Sequence, residues 1–353
     1  MAIIKPEPLS MQHKTIRQLL IIVLIGLTVS AFTDTREYLL EGRTMGTTYH
    51  IKIVAPPSAD MAAVRVKIDR RLEQLNQSMS TYRKESEISR FNRLAETGKP
   101  FAVSPDFLKV MRVAGAIHDV TGGAWDGTVY PLIKLWGFGR SGPIHEVPSD
   151  AAIGKALKDV GFRHIDVSPD GYLKKRRPGV TVDLASIAKG YGVDMVGALI
   201  KELGFNDHLV EIGGEVFAAG RRIDGKQWKV GVSVPEKGAG ATDVYKALAL
   251  EDLAMATSGD YRNFEEISGR IYSHIIDPRS GWPVENGVVS ASVIAPNCTL
   301  ADGLATAMVV MGPQEGIRLL NRLEKVEGLI IVRKPDGVLV DHYSKGMAPE
   351  TAR

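Results

Sequence analysis

Apolar positions recur every three or four residues at Val64, Ile68, Leu72, Leu75 and Met79. That period puts them on one face of an amphipathic helix of about five turns. Glu37–Arg43 and Thr47–Val54 flank Met45-Gly46 and predict paired strands around a tight turn. Ser86 is placed to cap a short helix. Ser104-Pro105 supply the cap and first residue of a longer one, closed by Gly122-Gly123 after Thr121, and Ser149 caps a third ending near Gly161. Short strands are expected at His164–Val167 and Val180–Val182, then a helix from about Ile187 to Leu203. Leu209–Ile212, Val216–Ala219, Trp228–Val234, Tyr245–Leu250 and Val288–Ile294 read as strands between Gly-rich turns. Helices over Asn297–Gly312 and Pro313–Val326 precede two closing strands, Leu329–Val332 and Val338–Asp341. Strands in clusters, without regular βαβ alternation, indicate an α+β fold rather than a doubly wound sheet.

The stretch "NCTLADGLATAMVVMG" (297–312) breaks its own pattern. Asp302 and Thr306 stand four apart among Leu, Ala, Met and Val, so two oxygen-bearing side chains share one face of an apolar helix. A buried carboxylate is costly unless paired, hydrogen-bonded or metal-bound. An oxygen-only pair suits a hard cation such as Mg²⁺. Against that, Thr306 could bond back to the 302 carbonyl, and Asp302 could cap a helix starting one residue later.

Composition narrows the class. A chain of 353 residues, 44% hydrophobic and 24% charged, has the makeup of a globular protein with a large core. Net charge is +3, of which residues 1–31 carry +2 (Lys5, Lys14 and Arg17 against Glu7), so no basic field points to nucleic acid. Lys14 and Arg17 precede the apolar run Leu19–Val29 and the small residues Ser30-Ala31, the layout of a secretory signal peptide. The run is shorter than the roughly 20 residues of a spanning helix. The expectation is export to the periplasm, soluble or tethered to the inner membrane by this segment, with Met1 or Met11 as the start. Residues 1–34 would form the N-terminal segment, 35–345 the functional domain and 346–353 a tail. Cys298 is the single cysteine, so neither an intrachain disulfide nor a lipid-bearing cysteine after the apolar run is available.

Besides the Asp302 helix, four segments are dense in Gly, polar and aromatic residues. "MSTYRKESEISRFN" presents Tyr82 on a turn, either to cover a planar ligand or as a partly buried tyrosine. "GGAWDGTVYPLIKLWGFG" (122–139) combines glycines with Trp125, Trp136 and Phe138, a ligand loop or one pinned by aromatics. "VDLASIAKGYGVD" (182–194) runs from strand to helix start, where Lys189 and free N–H groups would attract a phosphate; an Asp183 cap with a solvated lysine is the alternative. Its glycine spacing is neither a Walker loop nor a dinucleotide fingerprint. Ala256–Arg262 and Tyr272–Gly281 read as polar turns joined by a hairpin, with His274 inside the strand-like Ile271–Ile276, a general base or a satisfied structural histidine. No G-x-S-x-G elbow, H-E-x-x-H or zinc spacing is present.

In their order along the chain, "RTMGTTYHI", "MSTYRKESEISRFN", "GGAWDGTVYPLIKLWGFG", "VDLASIAKGYGVD", "EIGGEV", "ATSGDY", "SHIIDPRSG" and "TLADGLATA" resemble the ApbE family of FAD:protein FMN transferases, from about Thr44 to Asp341. The resemblance implies an ApbE-like α+β fold with mixed or antiparallel sheets and packed helices, in two lobes around a flavin site. It implies Mg²⁺-dependent cleavage of FAD at the pyrophosphate, release of AMP, and attachment of FMN through a phosphoester to a threonine of a partner. The implied acceptors are subunits of membrane redox complexes, the sodium-pumping NADH:quinone oxidoreductase (Nqr) and Rnf, bearing a Ser/Thr-Gly-Ala-Ser/Thr-like motif. Carried over by position, Met45, Tyr82, Ala124, Trp125, Asp126, Asp183, Lys189 and Ile276 match FAD contacts. Asp302, Thr306 and the Ser186 carbonyl match metal ligands, and His274 the catalytic histidine. Ala185-Ser186 stands where many relatives have Gly-Gly. The same site would serve an FAD pyrophosphatase releasing FMN and AMP; a non-catalytic periplasmic flavin-binding protein is the remaining alternative.

Overall fold

The computed structural model describes residues 34–347 apart from 139–141, 143, 237, 239–242, 260–263 and 268. The apolar N-terminal run, Gly139 and Asp260–Arg262 of the motifs above lie outside the described residues.

The strands, in chain order, are β1 (Arg36–Thr44), β2 (Thr47–Ala55), β3 (Phe101–Ala102), β4 (Ile165–Val167), β5 (Tyr172–Lys175), β6 (His208–Ile212), β7 (Glu215–Ala219), β8 (Trp228–Ser233), β9 (Val244–Leu250), β10 (Leu253–Gly259), β11 (Phe264–Ile267), β12 (Arg270–Ser273), β13 (Val288–Ala295), β14 (Glu327–Arg333) and β15 (Leu339–Tyr343). The helices are α1 (Met61–Met79), α2 (Glu87–Asn92), α3 (Pro105–Val120), α4 (Tyr130–Leu135), α5 (Asp150–Leu157), α6 (Ala188–Glu202) and α7 (Cys298–Leu320).

Eight strands form one sheet in the order β1-β2-β6-β7-β10-β13-β14-β15, every pair antiparallel. Neighbours follow sequence order, so the sheet is a meander into which other elements are inserted. Helices α1–α6 and the small sheet β3-β5-β4 lie between β2 and β6; ribbon β8-β9 precedes β10, ribbon β11-β12 precedes β13, and α7 precedes β14. The fold is α+β, and its sheets are antiparallel.

The largest core joins β1, β2, β6, β10 and β13 to α1, α3, α6 and α7. Two satellites complete it. Trp228, Val232 and Leu250 of the β8-β9 ribbon pack with Met255, Leu329 and Ile331 of the main sheet, and Leu132, Trp136, Ile153, Tyr272 and Ile276 form the other cluster. The two-lobe expectation thus resolves into one main core with two satellites. Ser86, Ser104 and Ser149 each accept the cap hydrogen bond foreseen for them. The 297–312 helix is present and breaks at Gly312 (φ 75°), after which Pro313 opens a further segment ending at Leu320 rather than Val326.

Several expectations are corrected. Val180–Val182 joins no sheet, because Val182 pairs with a side chain instead: the Asn92 amide donates to the Val182 carbonyl at 2.8 Å and accepts its N–H at 2.7 Å. Tyr172–Lys175 and Leu253–Gly259 are strands the pattern did not flag, so the segment from Ala256 is the end of a central strand, not a polar turn, as far as Gly259. Residues 130–135 form a short helix rather than a loop. His274 follows β12 instead of lying within a strand. Among the described residues no helix is long and apolar enough to cross a membrane.

Candidate functional site

Helices α6 and α7 meet because one residue between them has no side chain. A Cβ on Gly190 would lie 2.3 Å from the Cys298 carbonyl oxygen and 2.8 Å from Asp302 Cβ. With glycine there, the Gly190 N–H donates to Asp302 Oδ2 at 2.9 Å. A second tie runs the other way, as Asp194 of α6 accepts the N–H groups of Cys298 and Thr299 at 2.7 and 2.9 Å, capping α7. Asp302 is therefore inside the helix and buried, not a cap, and Thr306 Oγ1 pairs with Ser258 Oγ at 2.9 Å rather than with its own helix.

Lys189, the neighbour of Gly190, carries the charge of this cluster. Its Nζ donates to the Ala185 carbonyl at 3.3 Å and lies 3.5 Å from Glu215 Oε1. Burial opposes the lysine charge, but the fields of Asp302 and Glu215 outweigh it and hold Lys189 protonated. Burial pushes the Asp302 carboxyl upward against the pull of Lys189 and the Gly190 N–H. Burial and the Asp302 charge together push Glu215 up to about 8. The lysine side chain is 27% exposed, so the alternative of a solvated lysine does not describe it. Glu215 and Ser258 were not singled out as individual residues. The available signal for Glu215 was a carboxylate opening the apolar strand "EVFAA".

The loop before α6 is fixed from two sides. Asp183 Oδ1 accepts the Ala185 N–H at 2.8 Å, turning the chain back on itself. The Asp183 N–H donates to the Gly127 carbonyl at 2.7 Å, and Trp125 Nε1–H to Ser186 Oγ at 3.0 Å, stitching the "GGAWDG" loop to it. Ala124, Trp125, Trp136 and Phe138 are all buried, so these rings pack the interior rather than line a surface. The Asp126 side chain is committed to protein donors: Oδ1 accepts from the Thr128 N–H and hydroxyl at 2.8 and 2.6 Å, and Oδ2 from the Phe162 N–H at 3.0 Å.

A cleft of about 950 Å³ opens beside Lys189. Met45, Tyr82, Asp183, Ala185 and Lys189 line it, which brings four of the expected flavin-contacting residues to one surface. Met45 (φ 48°) and Gly46 form the β1–β2 turn, and Met45 Cε lies 3.0 Å from where a side chain on Gly192 of α6 would begin. Tyr82 is 78% exposed at the cleft, not partly buried. Ala124, Trp125, Asp126, Ser186, Asp302, Thr306, His274 and Ile276 are not among the lining residues. Asp302 is reached through Gly190 and Lys189, while Ile276 sits in the Trp136 satellite core with half-buried His274 two residues before it. Cys298 is fully buried and its thiol is pushed up by burial, which removes it as a nucleophile.

Comparison with known proteins places most of the chain. The chain is 42% identical over 299 residues to the FAD:protein FMN transferase of Vibrio cholerae, covering 84% of this chain and 88% of that one. It is 36% identical to the protein of that name from Haemophilus influenzae, covering 88% and 91%. Among solved structures, the flavin transferase ApbE from Vibrio cholerae superposes with a TM-score of 0.79 at 40% identity, covering 88% of this chain and 98% of that one. The apo form of the Pseudomonas stutzeri flavinyl transferase ApbE gives 0.79 at 34%, covering 88% and 95%. The sequence profile of the ApbE family matches residues 45–330, and the chain belongs to that family.

Proposed function

We propose that this protein is a Mg²⁺-dependent FAD:protein FMN transferase, which cleaves FAD at its pyrophosphate, attaches FMN to a threonine of a partner redox subunit and releases AMP. The observation that carries the reading is the Lys189–Asp302–Glu215 cluster beside a cleft lined by Met45, Tyr82 and Asp183.

Among the described residues no three His, Cys, Asp or Glu side chains are grouped to hold a metal. A cation here would rest on few carboxylates and on neutral oxygens, the donor chemistry Mg²⁺ prefers. The residues fit it: Asp302 is buried with its carboxyl pushed upward, and Glu215 Oε2 is buried with no hydrogen-bond partner. Asp302, Thr306 and the Ser186 carbonyl would hold the ion, which when bound neutralises charge on the pyrophosphate.

The chain's own groups supply the rest. Lys189 adds a fixed positive charge at the cleft for the phosphates, and Tyr82 offers a ring to a planar flavin. His274 takes the proton of the acceptor hydroxyl. The threonine oxygen then bonds to the FMN phosphorus as the bond to the bridging oxygen breaks, and AMP departs with that oxygen. Acceptors of the Nqr and Rnf type, bearing a Ser/Thr-Gly-Ala-Ser/Thr-like motif, suit an enzyme exported to the periplasm. Support for that location is the basic-then-apolar N-terminal segment.

The test is incubation with FAD, Mg²⁺ and an acceptor subunit. Covalent flavin on the acceptor threonine with one AMP per flavin is the expected result. Free FMN and AMP with an unmodified acceptor would make the protein a pyrophosphatase, and intact FAD a flavin carrier.

A further inference from the structure

The buried cluster does not balance its own charge. Asp302 and Glu215 are 2% and 4% exposed, and the cation placed against them is Lys189. With both acids ionised, the group would carry a net charge of about −1, which burial disfavours until a second cation arrives. The imbalance is local to Glu215. Its Oε1 faces Lys189 at 3.5 Å, while Oε2 is buried without a hydrogen-bond partner. Glu215 is brought there by the β6–β7 turn, where Gly213 (φ 64°) and Gly214 (φ 103°) reverse the chain. A side chain on Gly213 would start 2.8 Å from Thr47 Cγ2 and 3.3 Å from Lys189 Cδ, so the turn is shaped around the lysine stem.

We propose that Glu215 is a second acidic member of the cation site, whose charge offsets Lys189 and leaves Asp302 free to hold a divalent ion. This rests on the reading of Asp302 and Thr306 as a Mg²⁺ site. The physical reason is a competition between two cations for one carboxylate. Without Glu215, Lys189 and Asp302 would neutralise each other, and the site would carry no net negative charge to attract a metal. With Glu215, the lysine has its own partner, and the surplus negative charge remains at Asp302. Once Mg²⁺ is bound the cluster becomes net positive, the sign that complements a pyrophosphate.

Charge counting predicts variants with opposite effects. Glu215→Gln should weaken Mg²⁺ binding to the flavin-free protein about tenfold or more, within the range for groups supporting a metal site. Lys189→Met should tighten it several-fold, because the competing cation is gone. The double variant should return toward the wild-type affinity. Titration calorimetry with MgCl₂ alone reads all three without turnover. An unchanged affinity in Glu215→Gln would overturn the proposal, and so would equal weakening in both single variants, which is the mark of a disturbed scaffold. Asp302→Asn separates this inference from the one beneath it. If the wild-type protein takes up no Mg²⁺, or Asp302→Asn binds it equally well, the cation site itself is wrong and Glu215 falls with it. If Asp302→Asn loses binding while Glu215→Gln keeps it, only the role of Glu215 is refuted.

Discussion

Asp126 and Asp302 are buried to nearly the same degree, 6% and 2% exposed, and each has a glycine next in sequence. Their surroundings differ completely. Asp126 accepts three hydrogen bonds from Thr128 and Phe162, with His118 Nε2 3.5 Å away, so its charge is settled by the loop that it holds together. Asp302 accepts the Gly190 N–H and shares the Lys189 charge with Glu215. Burial alone therefore does not separate a structural carboxylate from a chemical one. What separates them is whether the fold has satisfied the charge. On the proposed reading, a satisfied carboxylate serves as scaffold, and one left short of positive partners offers a place for a cation.

The comparison is open to attack in four ways. The largest of these four effects is expected from the proposed base: His274→Ala should slow transfer about 10²–10⁴-fold with little change in FAD affinity. Unchanged rates would leave the Asp302 cluster to act without it. Next, Asp126→Ala should cost about 3 kcal/mol of stability in urea denaturation, by stranding buried N–H donors, while the folded fraction keeps its activity. Lost activity at full stability would move Asp126 into the same class as Asp302. Gly190→Ala should cost about 1–3 kcal/mol by overpacking the α6–α7 contact and should weaken Mg²⁺ binding. A neutral outcome would mean the helices are not held together there.

The smallest effect concerns a third buried charge. Lys175 is 1% exposed and donates to the Asn92 and Leu94 carbonyls at 2.8 and 3.1 Å. Burial lowers it from 10.5 to about 8. Between those values the unfolded chain holds a proton that the folded protein has released, so raising the pH through that window favours the folded state. The urea midpoint of the wild-type protein should gain on that of Lys175→Met from about pH 8 to 10; parallel profiles would contradict this.

The regions that were legible in the sequence are those governed by local rules. The caps at Ser86, Ser104 and Ser149, the Met45-Gly46 turn and the break at Gly312-Pro313 all follow from chemistry within a few residues. The i, i+4 spacing put Asp302 and Thr306 on one helix for the same reason. What stayed hidden depends on contacts across long stretches of chain. Val182 is paired by the Asn92 side chain from 90 residues away, so its β-like composition misled. Trp136 is buried in a satellite core, and the partner that satisfies its indole N–H is the distant Gly281 carbonyl at 2.9 Å. Glu215 gains meaning only when Lys189 and Asp302 converge on it from two helices.

The central proposal is that the buried Asp302 carboxylate on α7 is the seat of metal-dependent transfer. Its most direct test compares wild-type protein with Asp302→Asn in one assay of acceptor flavinylation at varied Mg²⁺, with thermal unfolding of both followed in parallel. The account predicts Mg²⁺-dependent covalent flavin with the wild type and none with the variant, which melts no lower because a buried charge has been removed. Flavinylation by Asp302→Asn at the wild-type rate would contradict it.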